Sequence, residues 1–151
     1  MNKLMLTLLL LVFGNYSNAQ TETKYNKALA DSLGADEYGM KMYVFVILKT
    51  GENKTTDKII RDSLFKGHMN NMGRLAEAGK LVVAGPFEKN NKEYRGLFIL
   101  NVKTIEEATV LLQTDPAIKA KIFDTELYQW YGSAALPLHV KYHESLKQKT
   151  F

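Results

Sequence analysis

His68 and Asp115 stand out as a candidate proton-transfer pair. From Ile60 to Ala78 the apolar residues Ile60, Leu64, Met72, Leu75 and Ala78 recur at helical spacing. At about 100° per residue, His68 falls in the middle of that stripe, where a leucine would be expected. A titratable ring facing a core must find a partner, because burying an unpaired imidazole costs free energy. Asp115 ends the connection into the last predicted strand, so the two residues could converge at one end of the domain. An aspartate accepting from one imidazole nitrogen fixes the tautomer and raises the basicity of the other, which is a general-base arrangement. Each residue also has a structural reading. His68 fits a satisfied core histidine, and Asp115 before Pro116 fits a helix N-cap with proline at the first helical position.

Three further groupings are chemically suggestive. The run Gly79-Lys80-Leu81-Val82-Val83-Ala84-Gly85-Pro86-Phe87 puts a Gly-Pro pair inside a strand, which implies an edge position or a bulge that re-aims side chains. The aromatics of Tyr128-Gln129-Trp130-Tyr131, with Phe45, Phe87 and Phe98, read as core or interface, or in part as the wall of an apolar ligand pocket. His139 and His143, with Glu144 adjacent, have a spacing that could join His68 around a metal. The neighbouring Lys141, Lys147 and Lys149 read instead as a solvated helix, and no metal is expected. The chain has no Walker loop, GxGxxG, GxSxG or CxxC, so no cofactor is expected either.

The elements that must position these groups follow from periodicity. A weak helical segment, Tyr25 to Leu33, closes at Gly34 within a polar lead, residues 20–41. Residues 42–48 form a strand, the helix bearing His68 ends at Gly79, and Leu81 to Phe87 is a second strand. Leu97 to Val102 is a third. Thr104 and Glu107 form a capping box opening a second helix, with Ile105, Ala108, Leu111 and Leu112 on its inner face. Asp115-Pro116 starts a short helical turn through Ala120. Ile122 to Tyr131 is a fourth strand, and residues 132–151 are a tail with an apolar start (Ala134, Ala135, Leu136, Leu138).

The order β-α-β-β-α-β is the ferredoxin-like arrangement, an α+β fold with four antiparallel strands and both helices on one face. Strands 42–48 and 97–102 are apolar continuously, so the face without helices also needs a cover. A second copy packed sheet to sheet would supply it and form a dimeric α/β barrel. The chain's own tail is the alternative cover.

Residues 1–19 have the layout of a secretory signal peptide: basic Met1-Asn2-Lys3, apolar Leu4 to Phe13, and Ser17-Asn18-Ala19 before a cut at Gln20. A periplasmic or secreted protein is expected, with no membrane contact after cleavage. The formal net charge is +4, which loss of Lys3 lowers by one, and the charges are scattered; no nucleic-acid partner is expected. With no cysteine, stability in an oxidising compartment must come from packing.

Taken in order, His68, the run Gly79 to Phe87, Arg95-Gly96-Leu97-Phe98-Ile99-Leu100, Glu106-Glu107-Ala108 and Asp115-Pro116 resemble the YciI-like (YCII-related domain) family over residues 42–131. The resemblance implies a dimeric α/β barrel of ferredoxin-like subunits. It also implies an active site built on a His–Asp pair, here His68 and Asp115, in a pocket bordered by Gly85, Pro86 and Phe87. The export signal, the lead and the tail depart from the short cytoplasmic members. The expected protein is a homodimer joined through its sheet faces, acting on a small apolar or aromatic molecule by elimination, isomerisation or lyase chemistry. The alternative is a non-catalytic small-ligand-binding homodimer whose His–Asp pair is structural.

Overall fold

The computed structural model describes residues 24–146 and residue 148; the predicted signal peptide, residues 1–19, lies outside the described residues. The elements run α1 (Lys27–Leu33), β1 (Met40–Thr50), α2 (Lys58–Glu77), β2 (Leu81–Pro86) and β3 (Tyr94–Leu100). They continue with α3 (Ile105–Leu112), α4 (Pro116–Lys119), β4 (Phe123–Ser133), a 3-10 turn (Leu136–His139) and α5 (Val140–Leu146). The strands form one sheet in the order β2-β3-β1-β4 with every pair antiparallel, the ferredoxin-like arrangement. Among the described residues no helix is long and apolar enough to cross a membrane.

Local chemistry sets the boundaries. Asn26 caps α1 through its side chain, and Gly34 closes the helix in the left-handed region at φ 69°. β1 and β4 are longer than their apolar runs, because they pair along their full length from Met40↔Ser133 to Thr50↔Phe123. β3 starts at Tyr94, ahead of its apolar run, because it pairs with Lys49 across a bulge after Leu48. The Thr104 hydroxyl accepts from Glu107 N, while the Glu107 carboxylate reaches Lys103 N, one residue before the cap.

Two helix-face expectations need correction. On α2 the buried face runs through His68, Asn71 and Leu75, whereas Ile60 and Ala78 are exposed. A helix of 20 residues is about 30 Å long, so its ends overhang a sheet whose edge strand β2 has six residues. On α3, Ala108 and Leu112 are buried, but Ile105 lies at the start of the helix and stays exposed.

The main core lies between the sheet and helices α2 to α4. Val44, Val46, Leu48, Phe98 and Leu100 meet Leu75, Ala108, Leu112, Ala117 and Ile118 there. The opposite face carries Tyr43, Val82 and Ile99, with Phe45, Val83 and Leu97 against them. The tail covers one end of this face: Leu136 packs on the cluster, and the Tyr43 hydroxyl donates to Ser133 O at 2.9 Å. Tyr128 and Trp130 on β4 remain exposed. Lys49 on β1 and Glu126 on the edge strand β4 pair at 2.5 Å. The hydrogen bond from Lys49 holds the Glu126 carboxyl below the usual carboxylate range, and Glu126 in turn raises the Lys49 ammonium.

Candidate acid–base site

His68 and Asp115 meet. The imidazole Nδ1 lies 2.7 Å from Asp115 Oδ2, with His68 only 7 % exposed and Asp115 1 %. Asp115 is also the N-cap of α4: its Oδ1 accepts from Ala117 N at 2.9 Å and from Ile118 N at 3.3 Å. The cap reading and the partner reading of this residue are therefore both true, one through each oxygen. A carboxylate already accepting two backbone N–H groups is an acceptor toward the ring as well, which assigns the proton to Nδ1.

The other ring nitrogen is different. Among the described residues His68 Nε2 makes no hydrogen bond, yet no sealed side-chain nitrogen or oxygen lacks a partner. Nε2 therefore reaches solvent-accessible space. The ring is held flat by Phe98, stacked at 5.9 Å with planes 24° apart, and by Phe123 at 5.1 Å and 56°. One nitrogen locked and one open on a ring clamped by aromatics is the geometry of a pre-set proton acceptor.

A second polar brace runs beside the first. Asn71, one turn after His68, accepts at Oδ1 from Arg74 Nη2 at 2.8 Å and from the Thr114 hydroxyl at 2.9 Å. Arg74 also donates to Thr114 Oγ1 at 2.7 Å. α2 and the residue before Asp115 are thus tied at two adjacent points. This brace escaped the sequence reading, although Asn71 at i+3 from His68 is a visible polar break in the same stripe.

Close approach of α2 to α4 depends on Gly67, where an added Cβ would lie 2.8 Å from Pro116 Cγ. Gly67→Ala is expected to push the helices apart, costing about 1–3 kcal/mol and weakening the His68–Asp115 hydrogen bond. Urea denaturation and loss of the protected Nδ1–H signal in NMR would record both; an unchanged signal with unchanged stability would contradict the packing argument.

Gly85, Pro86 and Phe87 follow Ala84, which pairs with Phe98, the ring stacked on His68. They end the edge strand β2, with Pro86 opposite Gly96 and Phe87 exposed near the Tyr94 ring at 6.2 Å. The bulge in that ladder lies between Leu81 and Val83, not at the Gly-Pro pair. His139 belongs to the 3-10 turn, where Nδ1 is 2.6 Å from Leu136 O, and His143 to α5. That tail reaches the sheet face opposite His68, so the three histidines are not brought together.

A cavity of about 400 Å³ opens behind Phe123. Phe65 and Phe123 form part of its wall, edge to face at 5.7 Å, and Phe123 carries the His68 ring on its other contact. Lys54, Arg61 and Arg95 also line it.

An antiparallel sheet in the order β2-β3-β1-β4, helices on one face, and a helix-borne imidazole locked to a loop carboxylate define an α+β protein of ferredoxin-like topology. The chain belongs to the YCII-related domain family, whose model matches residues 42–131. No curated protein is significantly similar to it in sequence. Among solved structures it is similar to the 5-chloro-2-hydroxyhydroquinone dehydrochlorinase of Burkholderia phenoliruptrix AC1100 in complex with 2,5-dihydroxybenzoquinone. That similarity has 21 % identity and a TM-score of 0.42, over 58 % of this chain and 92 % of the other.

Proposed function

We propose that the protein is an exported small-molecule enzyme in which His68 is the general acid/base and Asp115 its positioning partner. The observation that carries this reading is the asymmetry of His68: Nδ1 bonded to a buried carboxylate, Nε2 unbonded and open. In such a pair the carboxylate favours the imidazolium that forms when Nε2 takes a proton from a substrate carbon or oxygen, and the ring returns that proton later. Among the described residues the ring hydrogen-bonds to no hydroxyl or amine that it could activate, which favours proton-transfer chemistry of the elimination, isomerisation or lyase type. The apolar surroundings, Phe98 and Phe123, suit a small aromatic or apolar substrate.

The working unit in this proposal is a homodimer packed through the open sheet face. Phe45, Val83 and Leu97 are only half-buried there, and Tyr128 is exposed, leaving an apolar surface that the tail covers at one end alone. The proposal sets the protein outside the cytoplasm, on the signal-peptide layout of residues 1–19.

The test is proton exchange. Wild-type protein and His68→Gln are incubated in D2O with small hydroxyaromatic and keto compounds, and loss of C–H signals is followed by NMR. Exchange or turnover by the wild type, abolished in a His68→Gln protein that is still folded and of the same size by light scattering, is expected. Equal exchange by both proteins would overturn the catalytic role, and a monomer at micromolar concentration would overturn the dimer.

The competing reading, a ligand-binding dimer with a structural His–Asp pair, draws on one observation: Asp115 also caps α4. The Asp115 variants discussed below separate the two.

A further inference from the structure

The cavity beside Phe123 combines two properties that the acid–base pair does not require. Three cations from three separate segments line it: Lys54 from the β1–α2 connection, Arg61 from α2 and Arg95 from β3. None of them is in an ion pair among the described residues, and no aspartate or glutamate lines the cavity. Arg95 falls at the β-bulge between the Leu48↔Gly96 and Lys49↔Tyr94 pairs, a feature that redirects a side chain out of strand alternation. Its Nε donates to Thr50 Oγ1 at 2.6 Å, which fixes the guanidinium plane and leaves both terminal nitrogens without a partner among the described residues. Like charges gathered without counter-charges repel one another, and an incoming anion relieves that repulsion.

The remaining wall is mixed, with Thr50, Asn53, Thr55 and Thr56 on its polar side. Phe65, Ile122 and Phe123 make up the apolar part, and the T-shaped Phe65–Phe123 pair presents an aromatic surface. A volume of about 400 Å³ falls within the range of small-ligand sites. A guanidinium with two free terminal nitrogens matches the two oxygens of a carboxylate, a geometry that a lone ammonium does not offer. The second cavity, about 390 Å³, is lined by Glu107 and by no aromatic side chain, so it lacks this combination.

We infer that the cavity lined by Lys54, Arg61 and Arg95 binds a small aromatic carboxylate, its anionic end on the guanidinium groups and its ring on Phe65 and Phe123. That this ligand is the substrate rests on the catalytic reading of His68; that it binds does not. Phe123 lies between the ring position and His68, and His68 itself does not line the cavity.

The experiment is a titration of the isotopically labelled protein with benzoate, benzamide and inorganic phosphate, followed by NMR shifts of Phe65, Phe123 and the Arg95 side chain. Benzoate is expected to shift all three and to bind at least 10-fold more tightly than either benzamide or phosphate. Arg61→Gln, whose exposed side chain makes no hydrogen bond among the described residues, should weaken benzoate at least 10-fold without changing the melting temperature. Lys54→Gln provides the same test from a second segment. Binding of benzoate and benzamide with equal affinity would overturn the anionic requirement, and phosphate binding as tightly as benzoate would overturn the aromatic one. His68→Gln should bind benzoate as the wild type does. If it does so while the wild type shows no proton exchange, the cavity assignment stands and the catalytic reading alone fails.

Discussion

Asp115→Ala should lose about 2–4 kcal/mol of stability, whereas Asp115→Asn should lose less than about 1 kcal/mol and yet invert the chemistry of His68. The alanine variant removes two things at once. It deletes an N-cap acceptor, about 1 kcal/mol, and it leaves the buried Nδ1–H without a partner, about 1–3 kcal/mol. Asparagine keeps the cap, because its Oδ1 can still accept from Ala117 N and Ile118 N. The flipped amide is disfavoured, since its NH2 would face those two backbone donors. The NH2 must then face His68 Nδ1, which becomes an acceptor, and the ring proton moves to Nε2. A base that should be free is then protonated, and any turnover assigned to the protein should fall about 10²–10⁴-fold, the usual weight of general acid–base catalysis. Urea denaturation reads the stability and steady-state rates read the chemistry. If Asp115→Asn retained full turnover, the pair would be structural.

Gly51→Ala is expected to be as damaging for a reason unrelated to the pair. Gly51 is buried, and a Cβ there would lie 2.1 Å from Lys121 O, 2.8 Å from Lys121 C and 2.9 Å from Ile122 C. All three are backbone atoms and cannot rotate away. The same backbone accepts from Gly51 N and Asn53 N, both at 2.9 Å, and Asn53 Nδ2 donates to Ala120 O at 2.9 Å. Lys121 itself sits at φ 59°, a conformation held by these contacts. Making room for the methyl group must break the stitch between the β1–α2 connection and the start of β4. A loss of about 3 kcal/mol or more in urea denaturation is expected. Because Asn53, Ile122 and Phe123 line the cationic cavity, benzoate affinity should drop with it. A stability within about 0.5 kcal/mol of wild type, the range of an ordinary surface change, would show that the connection is not tied as described.

The element order was legible in the sequence because it rests on period, whereas spacing left the His68–Asp115 pairing open and the family resemblance named it. A helix-period stripe broken by one imidazole needs a partner, and an Asp-Pro step marks a helix start wherever it occurs. What could not be read is what long-range register decides. Arg95 lines the cavity because β1 and β3 slip by a bulge after Leu48, and nothing in the local run Arg95-Gly96-Leu97 announces that slip. The same holds for Gly51, a residue in a turn-rich stretch whose necessity comes from a backbone some seventy positions away. Gly85-Pro86 reads as an edge position or a bulge, and the edge alternative holds, since β2 is an edge strand of the sheet. The pair ends that edge strand, and the bulge in its ladder falls between Leu81 and Val83.

The most direct measurement is the protonation pattern of the His68 ring, read from long-range ¹⁵N–¹H NMR correlations in the wild type and in Asp115→Asn. The proton should sit on Nδ1 in the wild type, with Nε2 bare, and should move to Nε2 in the variant. A wild-type ring carrying its proton on Nε2, or one whose tautomer is indifferent to Asp115, would contradict the account.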